Sequence, residues 1–314
     1  MADVANLMVW TGGWGLPSLD PCCLQVMTYL KFAAFPVNLI RTDNPYKSPT
    51  GTLPVLKLTD DIVCGYDDIN EYLKQNHNDI DGKLSSEQKL NTLGLGCYVE
   101  DALRPALLYM TWLTEENYPQ FTRSWYARQL KFPYKYFVPA KYYNHALNFV
   151  AHKLNLEESD VISDVTWEKL RKRVDSCLEI LNDILGDQNF LFGDRPTTLD
   201  AKVFAYLAIM LKIPLPKNKL KSQILEYPKL EKYCDKIVQR FFPEVPQDLA
   251  PANKALDEAA ESRRTKINAA LSIGFALVSM LFYSLSSGII SLEVKEKESR
   301  DNSHVQHNIK SRGP

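Results

Sequence analysis

Lys47-Ser-Pro-Thr-Gly-Thr-Leu-Pro-Val-Leu56 is the stretch on which the fold turns, a loop that runs straight into a strand. Asn44-Pro45 opens the loop, and Leu53-Pro-Val-Leu-Lys-Leu58 reads as a strand. Downstream, Asp60-Asp61 marks a turn, Ile62-Val-Cys64 a further strand, and a helix follows from Asp67 to Asn76. Upstream, Leu7-Met-Val-Trp10 reads as a short buried strand closed by Thr11-Gly-Gly-Trp-Gly15. Ser18-Leu-Asp-Pro21 then supplies helix-start chemistry, with Pro21 suited to the first turn of a helix that runs to Phe32. Val37 to Arg41 is the second strand. The order β-α-β-β-β-α within about 80 residues is a small α/β unit.

Beyond Gly82 the pattern turns helical. Leu84 to Leu113 reads as one long helix with a kink at Pro105. From Asp164 to Leu185 the apolar residues Leu170, Val174, Cys177, Leu178, Leu181, Ile184 and Leu185 share a face, and Gly186 closes the helix. Leu199 to Ile213 is too apolar all round for a surface helix, so it belongs at the centre of a helical domain. Pro228 to Phe242 is the last helix before a polar linker.

Composition is ordinary for a globular protein: 45% hydrophobic and 24% charged residues in 314. A formal net charge of −1 argues against nucleic-acid binding by the chain as a whole. The six cysteines form no Cys-x-x-Cys pair and no zinc-finger spacing with the five histidines, so no metal site is expected. They read as reduced thiols of a cytosol-facing protein. Met1-Ala-Asp-Val-Ala5 has neither a signal peptide's basic region nor a transit peptide's arginines.

Targeting information is expected at the other end. The 26 residues from Ile267 to Leu292 carry no charge, and Leu271, Phe275, Leu277, Leu281, Phe282, Leu285, Ile289 and Ile290 are among their large apolar side chains. As a helix this segment would span roughly 39 Å, more than the ~30 Å hydrocarbon core of a bilayer. Asn268 and six serines weaken the insertion without reversing it. Arg263, Arg264 and Lys266 precede the span, which places the large N-terminal part in the cytosol. The expectation is a tail anchor.

Two stretches resemble glutathione transferases. Lys47 to Leu56 matches the family's loop and strand, which implies a cis peptide before Pro54. Phe192-Gly-Asp-Arg-Pro-Thr-Thr-Leu-Asp200 matches the start of its buried helix, where Thr197 caps the N-terminus and Asp200 answers from the third position. More specific are Gly12-Gly-Trp-Gly-Leu-Pro17, Arg123-Ser-Trp-Tyr126, Phe132-Pro-Tyr-Lys-Tyr-Phe-Val-Pro139 and Phe190-Leu-Phe-Gly-Asp194. With the tail anchor, these resemble the tail-anchored metaxins over nearly the whole chain. The resemblance implies residence in the mitochondrial outer membrane and a part in protein import. It also implies two partners, a second metaxin-like subunit and the machinery that sorts and assembles β-barrel proteins.

The same resemblance speaks on catalysis. The Glu/Gln-Ser pair that holds glutathione's γ-glutamyl group should precede Ile69-Asn-Glu-Tyr-Leu73, yet Gly65-Tyr66 stands there. Where thiol-using relatives open the first helix with Cys-Pro, this chain has Asp20-Pro21, with Cys22 and Cys23 just beyond. No nucleophile-base-acid trio can be assembled, so no catalytic or cofactor-binding residue is expected. The alternative is a tail-anchored enzyme of the glutathione-transferase type.

Residues 118–149 interleave eleven aromatics with Arg123, Arg128, Lys131, Lys135 and Lys141. Such a stretch can bind a protein partner, anionic lipid or single-stranded nucleic acid, or pack internally. With Pro119, Pro133 and Pro139 it reads as an irregular hydrophobic insertion, and the reading favours a partner over nucleic acid. Trp10, Trp14, Trp125, Tyr134 and Phe137 are the expected contact residues. The expected layout is a thioredoxin-like α/β domain (1–80), an all-helical domain (81–243), a linker (244–266), the anchor (267–292) and a polar tail (293–314).

Overall fold

The computed structural model describes residues 5–42, 44–59, 61–76, 79–245, 274 and 278–280. Met1–Pro251 form one compact unit and Ala252–Pro314 a second. The first unit begins with β1 (Ala5–Val9), α1 (Pro21–Phe32), β2 (Val37–Arg41), β3 (Val55–Lys57), β4 (Ile62–Cys64) and α2 (Tyr66–Asn76). These strands make a mixed sheet in the order β2-β1-β3-β4, with β1 parallel to β2 and the other neighbours antiparallel. The parallel pair requires a crossover, and α1 supplies it. The Leu53–Pro54 peptide is cis, and the Pro54 carbonyl accepts the Gly65 N–H at 2.9 Å, which ties the loop to the end of β4.

The rest of this unit is helical: α3 (Ser86–Leu108), α4 (Arg123–Gln129), α5 (Val138–Leu154), α6 (Glu158–Val161), α7 (Asp164–Leu185), α8 (Thr198–Lys212), α9 (Lys219–Leu225) and α10 (Pro228–Phe241). A capping box of Ser85 and Gln88 starts α3. The single helix expected to Leu113 stops at Leu108, where Tyr109–Leu113 form a wider turn and the Thr114 N–H reaches the Tyr109 carbonyl at 3.0 Å.

The buried centre is α8. Its side chains from Thr198 to Leu211 are almost all buried, and it packs on α1, α3, α9 and α10. Each fully buried Val, Leu, Phe or Met contributes about 1.5–3 kcal/mol relative to exposure. Its N-terminus is satisfied twice over. Thr197 and Asp200 form the expected capping box, while the Thr198 N–H and hydroxyl donate to Asp81 at 2.9 and 2.6 Å. Asp81 follows α2, so this contact joins the α/β part to the helical core.

Residues 118–149 are not the irregular insertion their prolines suggested. Tyr118–Thr122 is a helical turn that leads into α4, and Tyr134–Tyr136 is a short 3-10 turn before α5. Pro119 and Pro139 lie in first turns, where a missing N–H costs nothing, so they start helices rather than break them.

The proposed anchor, Ile267 to Leu292, lies outside the described residues except at Gly274 and 278–280, which are helical and exposed. Among the described residues no helix is long and apolar enough to cross a membrane.

Candidate functional site

The site to be tested lies at the N-terminus of α1. Gly12 lets the preceding loop fold back tightly, since a Cβ there would stand 2.0 Å from the Leu16 carbonyl oxygen. Gly13 and Leu16 exchange backbone hydrogen bonds at 3.0 and 2.9 Å, which brings Asp20 to the helix start. The Asp20 carboxylate accepts the Cys23 N–H at 2.8 Å and caps the helix.

Burial and that cap together set what the neighbouring cysteines can do. A helix N-terminus lowers a thiol pKa when its free N–H groups face the sulfur. Here they face a carboxylate. Burial, with Asp20 second, pushes the Cys22 thiol up to about 12 and the Cys23 thiol well above its ordinary value. Burial also raises Asp20 itself, against the pull of the Cys23 N–H. Both thiols therefore stay protonated at neutral pH, the opposite of an activated nucleophile.

Gly65 and Tyr66 stand where the resemblance puts the γ-glutamyl pair. Gly65, at φ +87°, turns the backbone into α2, and Tyr66 follows. Burial drives the Tyr66 hydroxyl pKa up, with the nearby Gln25 side chain pulling it the other way. Lys202 lies over the Tyr66 ring at 5.7 Å and reaches Glu100 at 3.7 Å. Glu100 also accepts from Arg104 at 3.0 Å and from the Tyr206 hydroxyl at 2.9 Å. Among the described residues no group of three or more His, Cys, Asp or Glu side chains is placed to hold a metal.

The expected contact aromatics fall into two sets, and one set needs correcting. Trp10 and Trp125 are only 2% and 6% exposed, so neither can meet a partner in this conformation. Tyr126 lies between them, at 5.4 Å from Trp10 and 4.9 Å from Trp125. Trp112 and Tyr142 complete the cluster, both within 6 Å of Tyr126. These edge-to-face and tilted rings weld β1 to α4 and α5, an internal role. Trp14 is half-buried against Phe121 at 5.2 Å.

Tyr134 is half-buried between Tyr46 and Phe137, while Phe137 is 47% exposed. Phe132 and Tyr136 are more exposed still, at 76% and 62%, and sequence reasoning did not single them out. Their spacing around Pro133, outside any helical apolar face, was the available signal.

A family model described as "Outer mitochondrial membrane transport complex protein" matches residues 23–143, and one described as "Glutathione S-transferase, C-terminal domain" matches residues 174–237. The chain is 35% identical over 302 residues to Metaxin-1 of Mus musculus, covering 93% of each chain. It is also 35% identical to Metaxin-1 of Homo sapiens, covering 93% of this chain and 63% of that protein. A glutathione S-transferase of Ceriporiopsis subvermispora, solved with glutathione, aligns with a TM-score of 0.51 at 13% identity, over 76% of this chain and 97% of its own. At that identity the likeness concerns the fold alone, which is glutathione-transferase-like. Identity of this level across nearly the whole sequence carries more, and the chain belongs to the metaxin family.

Proposed function

We propose that this protein is a non-catalytic subunit of protein import at the mitochondrial outer membrane. Its glutathione-transferase-like body faces the cytosol as a scaffold or receptor, and the segment 267–292 anchors it. The observation that carries the non-catalytic reading is the Asp20 cap, a carboxylate where a thiol or hydroxyl would have to be activated. The import reading draws support from membership of the metaxin family and from the transport-complex family match over residues 23–143. Its partners are a second metaxin-like subunit and the β-barrel sorting and assembly machinery. Tethering at the membrane raises the local concentration of such partners, so modest contacts suffice for assembly. Mass spectrometry of what co-purifies with the protein from gently solubilised mitochondria tests this directly. Recovery of a second metaxin and of β-barrel assembly components is the expected result, and their absence under conditions that preserve the assembly machinery contradicts it.

A further inference from the structure

The exposed half of the aromatic–basic stretch, Phe132, Tyr136 and Phe137, lies outside the hydrophobic core. Between α4 and α5 the chain turns through Phe132-Pro-Tyr-Lys-Tyr-Phe137, with a cis peptide at Phe132–Pro133. Phe132, Tyr136 and Phe137 are three of the exposed large hydrophobics of the molecule, gathered within six residues. They would gain by leaving water, but only for a partner that also accepts cations. Residues 117–156 contain no Asp or Glu, while Arg123, Arg128, Lys131, Lys135, Lys141 and Lys153 all lie within them. Of these, Lys153 pairs with the Asp101 carboxylate. Lys135 sits over the Tyr136 ring at 5.1 Å, and Lys141 over the Tyr46 ring at 5.3 Å, so both cations border the aromatics.

We propose that the turn 132–137 is a bilayer-contact knuckle that seats its aromatic side chains among the headgroups of an anionic membrane surface. Aromatic residues with an apolar body and a polar edge concentrate at the headgroup level, and lysines beside them are drawn to anionic lipid. Two other occupants fit less well. Phe132 and Tyr136 meet at 84° and Tyr134 and Phe137 at 70°, so successive bases of a nucleic acid find no parallel stacking platform. Protein interfaces are depleted in lysine, whereas here lysines border the apolar patch. The proposal goes beyond the import reading and does not depend on it, because pure lipid suffices as the ligand.

Hydrogen exchange on the full-length chain tests it, with the protein reconstituted into vesicles of phosphatidylcholine alone or of phosphatidylcholine with phosphatidylserine. The amides of residues 131–137 exchange more slowly in the anionic vesicles, and high salt removes the difference. Each cation lost from such a surface weakens the contact about five-fold, so Lys135→Glu reduces the protection while α8 amides are unchanged. A Phe132→Ser/Tyr136→Ser variant loses the protection altogether. Equal exchange in both vesicle types overturns the proposal. Protection seen in native outer-membrane vesicles but not in pure lipid also overturns it, in favour of a protein interface.

Discussion

The backbone N–H of Cys23 donates to the Asp20 carboxylate at 2.8 Å, so the N-terminus of α1 is capped by a carboxylate beside Cys22 and Cys23. The bond satisfies the helix N-terminus with a group that repels a neighbouring thiolate. In the native protein Cys22 should therefore be alkylated at least ~ten-fold more slowly at neutral pH than the exposed Cys97. Asp20→Asn keeps a capping oxygen, removes the charge and lowers the Cys22 pKa, so its alkylation profile shifts to lower pH. Calorimetry should find little or no glutathione binding, and micromolar affinity or turnover abolished by Cys22→Ala would contradict this reading.

The same carboxyl has a signature in stability. Burial raises its pKa above the ordinary 3.8 in the folded protein, so the folded state retains a proton that the unfolded chain has released. Its contribution is fully present below 3.8 and is lost as pH rises through the raised value. Across that window Asp20→Asn should gain stability relative to the parent. Urea midpoints measured at a series of pH values check the sign.

Asp200 should be among the costliest single substitutions. Its carboxylate accepts from the Leu191 N–H at 2.9 Å, the Thr197 N–H at 2.8 Å, the Thr197 hydroxyl at 2.6 Å and the Tyr233 hydroxyl at 3.0 Å. Asp200→Ala strands three buried donors, since the Tyr233 hydroxyl keeps the Asp200 backbone carbonyl at 3.2 Å, and should cost more than about 3 kcal/mol, against about 1 kcal/mol for Thr197→Ala. Denaturant unfolding of the two variants measures the gap.

Trp10→Ala and Trp125→Ala should act on folding rather than on association. Truncating a buried aromatic costs about 3–5 kcal/mol, and a Trp10/Tyr126 double-mutant cycle should return a coupling of about 0.5–1.5 kcal/mol. Thermal unfolding reads both.

Removing residues 267–314 should release a soluble, folded protein from membranes, and the full-length chain should resist alkaline extraction. Extraction of the full-length chain would show that the segment does not span.

Much of this fold was legible locally. The bounds of β2, β4 and α7 follow from apolar runs and punctuation, because Gly186 and the turn at 60–61 stop the pattern where the structure stops. The Thr197–Asp200 box is readable because all its atoms lie within one helical turn. What escaped depended on long-range placement. Asp81 bonds to Thr198 across more than a hundred residues, and no local pattern links them. Pro133 and Pro139 mask α5 in the sequence, although Tyr142, Ala146 and Val150 repeat at helical spacing. For the aromatics, composition shows that Trp125 and Phe137 share a sticky stretch. Only tertiary packing decides that one closes the core while the other faces solvent.

The most direct test of the account is depletion of the protein from cells, followed by the assembly rate of outer-membrane β-barrels against a matrix-targeted control. Barrel assembly should fall while matrix import holds, and the Cys22→Ala variant should restore assembly as fully as the parent chain. Unchanged barrel levels and assembly rates in the depleted cells would contradict it.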